Sequence, residues 1–440
     1  MAVVIPETVT VHLGRPGSPA ENVTVPFADY IKNVASSEIY PTWPEEAIRA
    51  NVLAEISFTL NRIYTEYYRS RGYDYDITNS TASDQAFVYG RDVFDTVSRV
   101  VDGALGDYLV REGQALPLFA QYCDGRITTC DGLSQWGTVP LAEEGLDALA
   151  ILRRYYGEDV VLVEDAPVGS VAESYPGVPL RPGSGFEDVR ALQYRLDRIA
   201  QNYPSIPRIP SFDGVYGPET EAAVRAFQRI FDLTPDGVVG RATWYRIVNV
   251  YGGVKRLSEL ESEGLTEEEV RRYFTAERRA GDTGVGVGAV QYLLDVIGSF
   301  DPELIRPEVD LIFGRQTEAA VKEFQRKYGL PVTGAVDRRT WNEMVAVYRA
   351  LLGSVPEESY LFPGKYLSRG MRGAEIEELQ TLLRLAAEND PSIPLVERDG
   401  IFGEKTEAAV RAAQETASLP VTGYVGPLTW DALVTLAGVK

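Results

Sequence analysis

Residues 213–228 read DGVYGPETEAAVRAFQ, residues 310–325 read DLIFGRQTEAAVKEFQ, and residues 399–414 read DGIFGEKTEAAVRAAQ. Three landmarks follow at one offset: Gln228, Gln325 and Gln414; Gly237, Gly334 and Gly423; Trp244, Trp341 and Trp430. The step is 97 residues from the first copy to the second and 89 from the second to the third. Each copy opens with a Gly-rich turn and a helical run near Gln193, Gln291 or Gln380. This is a triplication of a unit of about 70 residues, a size that can just fold alone. Leu192, Leu196 and Ile199 recur at helical spacing, as do Leu379, Leu382 and Leu383. An Asp-Gly turn and an aromatic-Gly pair then break the chain. Thr220, Thr317 and Thr406 stand near the start of the next helix, where a hydroxyl can cap free N–H groups. A turn of the LPVTG type and a short Trp-bearing helix close the unit, so three short helices around one small core are expected.

Working outward, the Pro/Gly/Ser-rich stretch at about residues 165–182 separates the triplication from what precedes it. The expected organisation is a domain at 1–165, a linker at 166–182, repeat 1 at 183–254 and a charged helical connector at 255–278. Repeat 2 follows at 279–350, a linker at 351–364 and repeat 3 at 365–440. In the first domain Thr8 to Leu13 alternate like a strand. Helices are expected over Pro26–Ser37 and Pro44–Arg71, each with Pro in its first turn, the second ending at Gly72. The fold class is therefore α+β: a mixed, helix-rich domain followed by three small three-helix domains.

Composition excludes several functions. The 440 residues include 64 acidic and 43 basic ones, a formal net charge of −21 that repels a polymer of phosphates, so no nucleic-acid partner is expected. No run approaches the ~18–20 apolar residues of a spanning helix, and MAVVIPETVTVHLG lacks the basic start of a secretory signal. One histidine and two cysteines rule out a disulfide-built scaffold and any zinc site needing two or three imidazoles. Cys123 and Cys130 have six residues between them; they read as a disulfide or a pair of buried thiols, with a metal site as the weaker alternative.

The triplicated unit resembles the peptidoglycan-binding domain of bacterial wall hydrolases, through D-G-x-F/Y-G-x-x-T-E-A-A-V and P-V-T-G-x-V-x-x-x-T-W. Copy two departs from it at Leu311, where the others have Gly214 and Gly400, and copy three has Ala413 in place of Phe227 or Phe324. The Trp and Phe residues read mainly as core. Tyr216, Phe313 and Phe402, in the aromatic-Gly turns, are the candidates for sugar contact. The first domain resembles the stage II sporulation protein D family, and more closely the clostridial-type germination-specific spore cortex-lytic enzymes. The matching stretches are YIKNVASSEIYPTWPEEAIRAN (30–51), SFTLNRIYTEYYRSRGYDYDIT (57–78), FAQYCDGRITTCDGLSQWG (119–137) and ILRRYYG (151–157). Those enzymes carry an inhibitory pro-region and usually one binding unit; none of the former and three of the latter are read here.

The resemblance implies cleavage of glycan strands by a lytic transglycosylase without a cofactor. One carboxyl serves, protonating the leaving glycosidic oxygen and then taking the proton of the muramyl 6-hydroxyl. Glu38, in SSEI, occupies the family's catalytic position, between a helix that buries Phe27, Ile31 and Val34 and the apolar run Ile39, Pro41 and Trp43. Such a setting raises a carboxyl pKa toward the range useful for an acid. Tyr30, Asn33 and Glu55 recur near it at one-face spacings, with Glu46 and Glu55 read as solvated helix residues. The family's A-A-R-T run is replaced by Glu55-Ile56-Ser57. Ser134, Gln135 and Trp136, with Gly137, match its S-Q-W-G element and are expected to line the sugar groove beside Tyr30. Some sporulation-family members bind zinc through Cys and His near Cys123, but no His stands there in this sequence, and the amidase activity described for the related enzyme lacks its ligands. The expected partners are peptidoglycan glycan strands and spore proteins that switch activity on or off. The expected place is the spore cortex and coat region or the cell wall. The alternative is a spore or wall protein that binds peptidoglycan with a degenerate catalytic domain.

Overall fold

The computed structural model describes residues 3–439 apart from 170, 172, 186, 267–268, 270–277 and 353–359. The chain forms two compact units, Met1–Ser174 with Trp244–Phe274, and Tyr175–Thr243 with Thr275–Lys440. The class is α+β.

In the first unit, β1 (Ile5–Pro6), β2 (Thr8–His12) and β3 (Asn22–Pro26) lead directly into helix α1 (Phe27–Glu38). β2 pairs antiparallel with β3, from Thr8 opposite Pro26 to His12 opposite Asn22, and parallel with β4 (Ile77–Thr78). Helix α2 (Glu45–Tyr64) is the centre of this unit. Polar and apolar residues alike are buried around its circumference, including Asn51, Glu55, Ser57, Thr59 and Asn61. It packs against α1, α3 (Asp95–Ala104), α4 (Thr138–Glu143), α5 (Ala148–Tyr156) and β5 (Tyr108–Arg111). A helix covered on all sides must pair its polar side chains internally. Ser57 Oγ accordingly donates to Leu53 O and accepts from Leu109 N, which fastens β5 to α2. β5 pairs antiparallel with β8 (Val160–Val163), while β6 (Tyr122–Cys123) pairs parallel with β7 (Leu133–Ser134).

The second expected helix is shorter than its pattern suggested. It ends at Tyr64, because Glu66 takes a left-handed conformation (φ 47°) and spends its carboxylate on the Ser174 backbone N–H, 2.7 Å away, and on the Ser174 hydroxyl. Gly72 (φ 90°) caps a separate 3₁₀ turn, Arg69–Arg71.

The repeats each supply three helices. They run Glu187–Asn202, Pro218–Ile230 and Arg241–Val254; Val285–Phe300, Arg315–Lys327 and Arg338–Leu352; and Ala374–Asn389, Glu404–Thr416 and Pro427–Leu436. The Trp244–Val254 part of the third helix is counted with the first unit. The repeated glutamines are clamps. Gln380 Nε2 donates to Asp399, Ile401 O and Thr406, and its Oε1 accepts from the Asp399 and Gly400 N–H groups. Gln193 and Gln291 do the same for their turns, and Gln228, Gln325 and Gln414 for the next ones. The threonines therefore do not cap their helices, as their position suggested. Glycines 217, 314 and 403 occupy the N-cap without a side-chain bond, and the hydroxyls receive the glutamine amides instead. Repeats two and three share one apolar core, in which Leu293, Phe313, Phe324, Leu379, Phe402 and Trp430 all take part.

Candidate functional site

Glu38 ends α1, and the chain turns at once through Ile39, Tyr40 and Trp43. The residue is half-buried, and its carboxylate accepts two hydrogen bonds. Ala86 N–H donates to Oε1 at 2.7 Å, and Gln135 Nε2 donates to Oε2 at 3.0 Å. The buried Tyr122 hydroxyl stands beside it, outside the geometry of a full hydrogen bond but close enough to favour the ionised form. Burial opposes these donors and wins, so the Glu38 pKa is pushed up from 4.5 to about 7.

Each contact is built from below. Asn33, one turn before Glu38, pairs through its amide with both backbone groups of Val88, at 2.8 and 2.9 Å, and so holds the loop that presents Ala86. Ser36 accepts from Phe94 N–H further along the same loop. Tyr30 lies fully buried and donates to Gln85 Oε1 at 2.9 Å, where Thr59 also donates; Gln85 Nε2 in turn donates to Glu55 O. Tyr30 therefore supports the loop from inside and cannot line the sugar groove, a correction to the expectation from its spacing. On the other side, β6–β7 pairing and the Gln135 N–H to Cys123 O bond set the Ser134–Gly137 turn. Thr138 accepts from Asn51 of α2 and donates to Gln135 O, which ties that turn to the central helix.

Ser134 accepts from Gly137 N–H and holds the turn. Trp136 is half-buried, edge-on to Trp43 at 4.8 Å between ring centres, and close to Tyr40, which is 55% exposed. The Arg126 guanidinium lies 3.3 Å over the Trp136 ring and covers one face. Arg126 is carried by the loop that the Cys123–Cys130 disulfide closes. Inside that loop Asp124 accepts from the Arg126, Ile127 and Thr128 backbone N–H groups, which lowers its pKa to about 2. The disulfide takes both thiols, so the weaker metal reading of Cys123 and Cys130 does not hold.

Glu55 overturns its expectation as a solvated residue. It is 0% exposed, and neither carboxylate oxygen has a hydrogen-bond partner among the described residues. Burial, and then the Glu38 charge, raise its pKa well above the carboxylate range, so it is held as a neutral acid. Gln85, Ala86 and Tyr122 were not singled out from the sequence. Ala86 contributes only a backbone N–H from an irregular loop, which no pattern of side chains reveals. Tyr216, Phe313 and Phe402 are corrected too. All three rings are fully buried in the repeat cores, and Tyr216 donates its hydroxyl to Gly237 O at 2.7 Å, so none presents a surface to sugar. Burying such a ring contributes about 1.5–3 kcal/mol, reason enough for an aromatic there.

Comparison with known proteins agrees with this division. The family model of the stage II sporulation protein matches residues 19–107, which hold α1, α2 and the Ala86 loop. The peptidoglycan binding domain matches three times, at 187–247, 283–344 and 372–433. The zinc D-Ala-D-Ala carboxypeptidase of Streptomyces albus G is 41% identical over 68 residues, 16% of this chain and 25% of its own. The N-acetylmuramoyl-L-alanine amidase CwlL of Bacillus licheniformis is 30% identical over 159 residues, 36% of this chain and 42% of its own. The chain thus spans less than half the length of either relative. It combines a stage II sporulation protein domain with three peptidoglycan-binding repeats. No helix among the described residues is long and apolar enough to cross a membrane. Zinc, which the first relative's name carries, does not fit these side chains. Among the described residues no three His, Cys, Asp or Glu groups converge, and His12, the sole histidine, is bonded to Asn22 and stacked on Tyr75.

Proposed function

We propose that this protein cleaves the glycan strands of peptidoglycan as a lytic transglycosylase of the spore cortex-lytic type, with Glu38 as its acid and base. The observation that carries this reading is the half-buried Glu38, whose desolvated carboxyl has its pKa pushed up to about 7. Protonated Glu38 donates to the glycosidic oxygen as the bond from that oxygen to muramyl C1 breaks. The resulting carboxylate, stabilised by Ala86 N–H and Gln135, then accepts the proton of the muramyl 6-hydroxyl as O6 bonds to C1. The acid is regenerated, a 1,6-anhydro end forms, and no water is consumed. The half-buried Trp136 would meet the sugar, with Gln135 holding the Glu38 carboxylate and Ser134 fixing the turn between them. The repeats retain the enzyme on its polymer, in the spore cortex or cell wall.

The named relatives include an amidase, which would release stem peptides instead of cutting glycan. A digest of cortex and vegetative peptidoglycan, read by mass spectrometry for wild type and Glu38→Gln, separates the readings. Anhydro ends that vanish in the variant support the proposal. Free stem peptides with intact glycan favour amide hydrolysis, and no new ends at all favour a binding protein.

A further inference from the structure

Within the repeat unit, a cavity of about 390 Å³ lies among the entry turn of repeat one, the third helix of repeat two and the approach to repeat three. Its walls are built by close contact. Tyr366 N–H donates to Gly183 O at 3.1 Å, and a side chain at Gly185 would run into the Tyr366 ring. The volume falls within the range of small-molecule sites.

Besides Leu311, repeat two departs from its siblings at Arg278, Trp341 and Arg349, and these three line the cavity. The antiparallel bridges Leu180–Val239, Arg278–Val336 and Leu367–Val425 align Arg278 with two leucines that are buried in the other copies. Trp244 and Trp430 are buried and donate to Ser174 Oγ and Tyr360 O, whereas Trp341 lies half-buried on the cavity wall. Eight residues beyond the tryptophan, Arg349 replaces Gly252 and Gly438. Three of its exceptions thus gather in one place, which repetition of the fold alone does not require.

The charges there run against the chain's net −21. Four arginines and two aspartates line the cavity. Asp188 is committed to Arg338 at 2.7 Å, and Asp337 accepts from Thr340 N–H at the start of its helix. Arg349 is anchored by two hydrogen bonds to Gly364 O, at 3.0 and 2.9 Å. Among the described residues neither Arg349 nor Arg181 has a carboxylate within ion-pair distance. Burial, and then the Arg181 guanidinium, lower the Arg349 pKa, so two like charges are held near one another with no counter-ion paired to either among the described residues. Guanidinium groups suit bidentate carboxylate binding, and a half-buried indole offers a flat apolar wall.

We infer that this inter-repeat cavity is a binding site for the carboxylate-bearing stem peptide of peptidoglycan, with Arg181 and Arg349 taking the carboxylates and Trp341 the apolar part. The inference deepens the proposed function and rests on its assignment of peptidoglycan as the polymer. It assigns to the assembled repeats a site that no single copy contains.

The test is calorimetric titration of the full chain with a synthetic stem tetrapeptide, in its free-acid form and with every carboxylate amidated. Saturable binding of the free acid is expected at one site, with at least tenfold weaker binding of the amide. Arg181→Gln and Arg349→Gln should each weaken the free acid about tenfold, with the thermal unfolding temperature unchanged in Arg181→Gln and lowered in Arg349→Gln by loss of its two bonds to Gly364 O. Equal binding of both peptide forms, no binding of either, or full affinity in the double variant would overturn the inference. Because the two peptides are compared on wild type, the result stands even if a variant misfolds. Sedimentation with sacculi separates the failures: retention without peptide binding sinks only this site, and absence of retention sinks the assignment of peptidoglycan.

Discussion

The surroundings of Glu38 and the turns of the repeats treat buried polar groups in opposite ways. In the repeats, each conserved-offset glutamine is buried and satisfied from both ends of its amide, so the polar group stabilises its turn. Around Glu38 the accounts are left open. Among the described residues Glu55 keeps two oxygens without a partner and the buried Tyr122 hydroxyl makes no full hydrogen bond, and Glu38 holds its proton to about pH 7. The scaffold pairs what it buries, whereas the candidate site keeps desolvated acid, as the proposed proton transfer would require.

The largest effect should come from removing that acid. Glu38→Gln keeps the Ala86 and Gln135 contacts sterically possible and should lower glycan cleavage by about 10²–10⁴-fold, with retention on sacculi unchanged. Wild-type cleavage should decline by about tenfold per pH unit above about 7, as Glu38 loses its proton. A rate flat from pH 6 to about 9 would break the comparison at its reactive end.

Next in size is a clamp. Gln380→Leu strands the Asp399 and Gly400 N–H groups and should destabilise the repeat unit by about 2–4 kcal/mol in denaturant unfolding. The pH profile of cleavage should not move. A loss below about 0.5 kcal/mol would mean that the clamp is decorative.

Glu55→Gln sharpens the contrast by keeping the shape and removing the titration. The folded-state pKa of Glu55 is raised, so the folded protein keeps a proton that the unfolded chain releases above about pH 4.5. Its contribution to stability is therefore present at low pH and shrinks as pH rises. Melting temperatures measured from about pH 5 to 8 should fall less steeply in the variant. An identical slope would show that Glu55 is ionised in the folded protein after all. The smallest expected effect is at Leu311, whose φ of 64° stands where the sibling turns use glycine. Leu311→Gly should relieve about 1 kcal/mol of backbone strain, read as a small rise in melting temperature.

Much of this was legible in the chain itself. The triplication, its helices and the Gly-rich turns follow from period and turn chemistry, which act over a few residues. Glu38 stood out through its place in the SSEI match to the sporulation family, with apolar neighbours adjacent in sequence as support. The aromatic residues of the turns misled, since a ring beside a glycine can point into a core or out of it, and only packing chooses. Glu55 misled for a similar reason: a glutamate in a helix reads as solvated until the elements that cover every face of α2 are counted.

The sequence by itself determined the local periods and the three copies, because helix spacing and turn residues are short-range properties, and it offered Glu38 through a resemblance to the sporulation family. Only the tertiary structure decided that Ala86, Gln135 and Tyr122 meet at Glu38, that Glu55 is sealed beneath it, and that repeat two turns three exceptional residues into one cavity. Those outcomes depend on desolvation and on contacts between residues far apart in the chain, and neither quantity exists until the chain has folded.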